Sequence, residues 1–208
     1  MFNVQAQLKH CLDTIRYDLK QDKSWFLSLD GKNSVIRDLR IKLFGLQFGY
    51  LYNKRTNLYI GYYGSYNNET QKVENNTSIS ASPDTNAVYV KYNIGYFNFG
   101  CEYYFHNSRK WRFSIPVALG IGMGSEQKFT KYKNLSQRSS TILPLDFGLT
   151  ASYKIKWWLW AGAGLGYRQT IGASKYGGAY YTFGLSLKFG EMYNRVNKWY
   201  KENYAFNP

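Results

Sequence analysis

The run Trp111-Arg112-Phe113-Ser114-Ile115-Pro116-Val117-Ala118-Leu119-Gly120-Ile121-Gly122-Met123 alternates without a break. Its odd positions are Trp, Phe, Ile, Val, Leu, Ile and Met. Its even positions are Arg, Ser, Pro, Ala, Gly and Gly. In an extended strand successive side chains point to opposite faces, so this run carries one bulky apolar face and one small or polar face. It is also longer than the ~5–6 residues usual for a globular strand and suits the ~9–11 residues of a tilted membrane-crossing strand.

The same period recurs along the chain. Leu143, Leu145, Phe147, Leu149, Ala151, Tyr153 and Ile155 oppose Pro144, Asp146, Gly148, Thr150, Ser152 and Lys154. Eight segments of this kind can be read: residues 25–30, 42–52, 57–66, 87–105, 111–129, 141–155, 159–170 and 179–189. In the fourth, the apolar set shifts from Val88, Val90, Tyr92 and Ile94 to Phe97, Phe99, Cys101 and Tyr103, which predicts a β-bulge near Tyr96. The connections alternate. Those at Asn53-Lys54-Arg55, 106–110 and 156–158 are short, whereas 69–84, 131–139 and 171–178 are long and polar, and 31–41 is not tight. Short turns at one end and long loops at the other are the signature of an up-and-down barrel. The predicted fold is all-β, an eight-stranded antiparallel up-and-down transmembrane barrel with short amphipathic helices at both termini.

Composition agrees with this reading. The chain has 208 residues, a formal net charge of +14, and six Trp, 21 Tyr and 13 Phe. That much aromatic surface argues against disorder. Two Cys and two His leave little room for a metal cluster, and no cofactor is expected. A mean hydropathy of −0.48 is what two opposed strand faces average to.

Three parts are expected: an N-terminal periplasmic amphipathic helix over 1–24, the barrel over 25–189, and a C-terminal periplasmic helix or tail over 190–208. Leu8, Cys11, Leu12, Ile15 and Leu19 have helical spacing, as do Met192, Val196, Trp199 and Tyr200. Such helices cover the barrel base or lie in the headgroup layer, with docking to a partner as the alternative. Residues 1–20 hold no apolar run of the kind found in a secretory signal. Val4-Gln5-Ala6 before Gln7 suits the end of one, so the native chain is expected to begin further upstream.

If the apolar face meets lipid, the polar face fills a narrow lumen. Charges held there should pair, because an uncompensated buried charge costs several kcal/mol. Lys91, Glu102, Arg112, Asp146, Lys154 and Arg168 are the lumen ion-pair candidates, with Asp146–Arg112 and Glu102–Lys154 the pairings expected. Trp25, Tyr50, Tyr52, Trp111, Trp157 and Trp158 lie toward strand ends, where membrane girdles need aromatics.

These patterns resemble the small eight-stranded outer-membrane barrels of the OmpA/OmpX type, in a Bacteroidetes-like version. The residues that carry the resemblance are Phe44-Gly45-Leu46-Gln47-Phe48-Gly49-Tyr50, Asn53-Lys54-Arg55, Leu58-Tyr59-Ile60-Gly61-Tyr62-Tyr63 and the last segment, Tyr181-Thr182-Phe183-Gly184-Leu185-Ser186-Leu187-Lys188-Phe189. That last segment looks like a barrel-assembly signal with its terminal aromatic. The resemblance implies a bacterial outer-membrane location and a structural or interaction role, such as that of a subunit in an envelope assembly. It departs from the family where residues continue beyond Phe189.

Two alternatives compete with this expectation. His106 and Ser108 form a His-x-Ser pair like that of an outer-membrane lipid A deacylase barrel, which would make the chain a lipid-modifying enzyme. Loop parity puts the pair in a periplasmic turn, away from the outer leaflet, and no enzyme activity is expected. A soluble small-ligand-binding barrel would need the apolar face inside. Cys11 and Cys101 could join in an oxidising compartment. Asn68, Asn75, Asn76 and Asn134 start acceptor triplets for glycosylation, which in a bacterial chain read as polar loops. Lys128, Lys131, Lys133 and Arg138 form a basic outer loop that would meet lipopolysaccharide phosphates. Outer-membrane lipids, lipopolysaccharide included, and membrane-protein partners are expected. Nucleic acid is not, because the basic residues are dispersed rather than gathered on one face.

Overall fold

The computed structural model describes residues 17, 23–36, 39–66, 70–73, 88–130, 134–172 and 174–204. Its strands are β1 (Lys23–Ile36), β2 (Leu39–Tyr52), β3 (Thr56–Tyr66), β4 (Gln71–Val73), β5 (Val88–Asn107), β6 (Trp111–Phe129), β7 (Asn134–Lys154), β8 (Leu159–Ile171) and β9 (Gly178–Leu187). Helix α1 (Phe189–Tyr204) follows. Every pairing is antiparallel. β1 pairs with β2, β2 with β3, β3 with β5, and the order then runs in sequence to β9, which pairs back onto β1 from Leu27↔Leu187 to Ser34↔Tyr180. Eight strands therefore close a ring. The short β4 continues the sheet above β3 by pairing with the start of β5.

The ring has a terminal end and a loop end. At the terminal end the β2–β3 turn is set by Asn53 and Lys54, whose φ values of 47° and 57° lie in the left-handed region. With Arg55 N–H donating to the Tyr52 carbonyl at 2.9 Å, Asn53 and Lys54 are the central pair of a tight turn in the three-residue connection between Tyr52 and Thr56. β1 also starts there and β9 finishes there, and α1 leaves from it.

Alternation dictates which face is wet. From Trp111 to Met123 the exposed residues of β6 are Trp111, Phe113, Ile115, Val117, Leu119, Ile121 and Met123, and the residues between them point inward. Leu119 is 56% exposed and Ile121 60%. Phe44, Leu46, Ile60, Phe97, Phe99, Phe147, Leu149, Leu165 and Phe183 extend this outward apolar wall around the ring. A water-soluble barrel would bury such residues, and a hydrocarbon solvent reverses the preference.

The structure corrects several sequence-based expectations. The first strand is not a short 25–30 segment, because β1 continues through the region expected to be a loop and pairs with β2 as far as Ile36↔Leu39. Polar Asp30, Lys32 and Ser34 are its inward positions. No bulge occurs at Tyr96. The β5–β6 register runs unbroken through Gly95↔Met123 and Tyr96↔Gly122, and the one irregularity lies between Tyr104 and His106. What changes near Tyr96 is the polarity of the faces: Val90, Tyr92, Ile94 and Tyr96 are inward and buried. The expected loop 131–139 is β7 from Asn134 onward. The N-terminal helix expected over 1–24 lies outside the described residues except for Tyr17, which is helical, and Lys23 and Ser24, which already belong to β1.

Candidate functional site

The lumen is filled in three tiers. At the loop end Ile41, Leu43, Val90, Tyr92, Ile94, Ile142 and Tyr176 form an apolar stopper, with Tyr63 and Tyr96 at its lower edge. Tyr176 comes from a 3-10 turn, Ser174–Tyr176, in the β8–β9 connection. It is 0% exposed and meets Tyr92 edge-on at 6.0 Å between ring centres. Gly124 makes room for it, since a Cβ there would lie 2.6 Å from the Tyr176 ring. Lys175 donates to Glu126 on β6, across the mouth. Burial works against the charged form of Lys175, but the hydrogen bond to Glu126 and the nearby Tyr176 more than offset it and leave its pKa above the ordinary lysine value.

Beneath the stopper is a charged tier. Asp146 accepts from Lys32 Nζ at 2.7 Å and from Arg168 Nε at 2.8 Å. Arg168 Nη2 also donates to the Tyr96 hydroxyl at 2.5 Å, and that hydroxyl donates to Asp146 at 3.1 Å. The Lys32 ammonium sits 4.0 Å from the centre of the Tyr63 ring. Tyr63 in turn donates to Asp30 at 2.5 Å and accepts from Gln47, and Thr182 also donates to Asp30. Two acids and two bases thus share one layer, so it carries no net charge. Three strands of the sheet contribute its charged groups, and the alternation of β1, β7 and β8 aims them all inward.

Below lies a cavity of about 100 Å³, bordered by Asp30, Lys32, Asn57, Glu102, Asp146 and Trp160 among others. At roughly 10–15 Å³ per water it has room for several. Its floor is the third tier. Glu102 accepts from Asn57 at 2.8 Å, Tyr104 at 3.0 Å and Ser114 at 2.6 Å. Arg112 donates to Asn107 at 3.0 Å and lies 3.9 Å from the Trp160 ring centre. Lys188 lies over Phe26, and Lys154 over Trp160.

The two pairings expected from sequence are therefore replaced. Asp146 is held by Arg168 and Lys32 rather than by Arg112, because register sets Asp146 opposite Arg168 and Ala118, while Arg112 lies opposite Ser152. Glu102 is held by neutral donors, and Lys154 is stacked at the terminal rim. Lys91 is not in the lumen at all. With no bulge in upper β5, it shares the outward face with Phe97 and Phe99, and so does Asn93. Sequence reasoning missed Lys32 and Tyr176. Lys32 keeps the inward parity of Ser28 and Asp30, a signal that holds only for a strand continuing past Asp30. Nothing local in Ser174-Lys175-Tyr176 marks a stopper.

The basic outer loop is also rearranged. Lys128 and Arg138 sit on β6 and β7 at the loop-end mouth, both exposed, with Lys128 3.6 Å from Glu126. Lys131 and Lys133 lie outside the described residues, as do Cys11, Asn68, Asn75 and Asn76. Cys101 faces outward on β5. His106 and Ser108 are exposed at the terminal end, where the Ser108 hydroxyl donates to the Trp111 carbonyl and accepts from its N–H, both at 3.1 Å.

No protein-family model matches the sequence, and no curated protein matches it. Among solved structures the chain is similar to Neisserial surface protein A, at 15% identity and a TM-score of 0.47 over 81% of this chain and 100% of that one. It is also similar to Ail, the attachment invasion locus protein of Yersinia pestis, at 14% identity and a TM-score of 0.47 over 80% of this chain and 95% of that one. A second Ail structure, in complex with the heparin analogue sucrose octasulfate, gives 13% identity and a TM-score of 0.46 over the same shares.

Proposed function

We propose that this chain is an integral outer-membrane barrel of a Gram-negative envelope, with a structural or interaction role in place of pore or enzyme activity. The observation that carries this reading is the continuous outward apolar wall on a closed ring whose inside is filled. The short-turn end with both strand termini then faces the periplasm, and the mouth closed by Tyr176 faces outward. The Bacteroidetes-like form of the resemblance rests on the stretches 44–50, 53–55, 58–63 and 181–189 of the sequence.

Lipopolysaccharide is the partner this geometry favours. Arg40 and Lys42 on β2 and Lys91 on β5 stand on the outward face just above the apolar wall, at the height of outer-leaflet phosphates. Lys128 is less suited, because it is engaged with Glu126 at the mouth. The alternative reading, a lipid-modifying enzyme, would need Ser, His and a carboxylate together near the outer leaflet. His106 and Ser108 stand at the opposite end, and the serine hydroxyl is committed to its turn.

The deciding experiment is cell fractionation followed by SDS gels of boiled and unboiled samples. Recovery in the outer-membrane fraction with heat-modifiable migration is the expected result. Recovery in the soluble fraction without detergent would sink the proposal. The lipid contact is tested by Arg40→Glu, Lys42→Glu and Lys91→Glu together, which should lose the shift in melting temperature that added lipopolysaccharide gives the parent barrel.

A further inference from the structure

Helix α1 is fastened to the barrel by its first turns. Phe189 stacks on Trp25 with ring centres 4.8 Å apart and planes 12° apart. Gly190 is buried against Ser24 and Trp25, where no Cβ would fit. One and a half turns on, the Arg195 guanidinium lies 4.8 Å from the ring centre of Trp157, in the β7–β8 turn. Beyond these anchors the helix keeps an exposed apolar side: Tyr193, Val196 (63%), Trp199 and Tyr200.

The angular positions are informative. At 3.6 residues per turn Phe189, Met192, Tyr193, Val196, Trp199 and Tyr200 fall within an arc of about 120°. Arg195, Lys198 and Lys201 lie on the remainder, together with Glu191 in the first turn. Phe189 therefore belongs to the exposed stripe and also rests on Trp25, which is on the outward, lipid-facing side of β1. The apolar stripe of the helix is continuous with the apolar wall of the barrel. Its composition is two Tyr and a Trp around one Val, amphipathic rings that prefer a membrane–water boundary to either solvent. Three cations beside them suit acidic headgroups.

We infer that α1 is a membrane-surface helix, seated with its 193–196–200 stripe in the inner leaflet of the same membrane the barrel spans. This rests on the reading of the barrel as a membrane protein and adds a second, in-plane contact with phospholipid. The helix then prevents the barrel from shifting along the membrane normal and keeps the terminal rim at the headgroup layer.

The test uses the full chain with Cys11 and Cys101 replaced by Ser. It is reconstituted in vesicles of phosphatidylethanolamine and phosphatidylglycerol, with a nitroxide label on Val196→Cys, Asn194→Cys or Leu119→Cys. Each variant is first checked for heat-modifiable migration. Collision with oxygen, which partitions into lipid, is compared with collision with an aqueous nickel chelate. The oxygen-to-nickel ratio at 196 should exceed that at 194 by severalfold and lie below that at 119. Equal, nickel-accessible values at 194 and 196, with 119 still in lipid, would overturn the helix inference and leave the barrel reading standing. So would a label at 196 shielded from both reagents. A nickel-accessible label at 119 would overturn both.

Discussion

Asp146 is the residue on which the lumen turns. It is buried between two cations contributed by different strands, Lys32 of β1 and Arg168 of β8. Removing it strands both. Asp146→Ala should therefore cost about 3–5 kcal/mol, the usual penalty for breaking a buried pair from one side. The check is the urea midpoint of the barrel refolded in vesicles. Lys32→Met and Arg168→Leu combined with Asp146→Leu should recover most of that loss, since an apolar set of similar volume leaves nothing uncompensated. A parent-like midpoint for Asp146→Ala alone would show that the ion pairs contribute little. The residue scale is also where sequence reading stopped. Asp146 and Arg168 could be assigned to the inner face from alternation alone. Which of the inward cations each acid meets depends on strand register and on which strands are neighbours, and neither is a local property of the chain.

At the scale of elements, β6 and β5 differ in how readily they can be read. β6 keeps large apolar residues outward and mostly small residues inward from Trp111 to Met123, so its faces are evident. β5 crosses two environments. Its terminal-end half has Phe97 and Phe99 outward, and its loop-end half has Tyr92 and Ile94 inward to form the stopper. Alternation alone reads that exchange of polarity as a shift in register. Leu119→Arg, midway along the wall of β6, should cost about 2–4 kcal/mol in a bilayer. The same urea titration measures it, and a neutral result would argue against lipid on that face. The stopper offers a second prediction. Gly124→Val would push a side chain into the Tyr176 ring and should expel the Ser174–Tyr176 turn. Lys175→Met should loosen the same turn by removing its hold on Glu126. Both are read as faster protease cleavage between Gly172 and Gly178 with the barrel itself still resistant. Because the pKa of Lys175 is raised in the folded protein, its contribution is complete below the ordinary lysine value of ~10.4 and is lost as pH rises through the raised value. Cleavage of the parent should therefore accelerate only in strong alkali.

For the whole molecule, any path from mouth to base must cross both an apolar stopper and a neutral four-charge layer. In planar bilayers the barrel should show no sustained single-channel conductance, and stable openings would contradict the tiered lumen. The +14 net charge, which alone could suggest a polyanion partner, is dispersed: among the described residues Lys54, Arg55, Arg109, Lys110 and Lys156 stand at the terminal-end turns, and the other cations fall mainly in four further settings. These are the lumen layers, the outward cations of β2 and β5, the mouth, and the basic side of α1. Strand number, topology and the direction of the apolar face were legible because each follows from period and loop length. The stopper and the seating of α1 were not, because both depend on contacts between segments distant in sequence.

The closing seam of the ring joins Leu27 to Leu187. Until the last strand has been made, β1 is an open edge, and so is whichever strand is newest. Both edges flank a growing sheet of outward Phe, Leu and Ile. A long-lived open edge on an apolar sheet is a template for pairing with other chains. The seam also closes the longest loop in the molecule, which is the slow kind of contact to make unaided. A chain built this way needs an escort across any aqueous space it crosses, and it benefits from a machine that holds β1 and β9 apart from other strands until they meet.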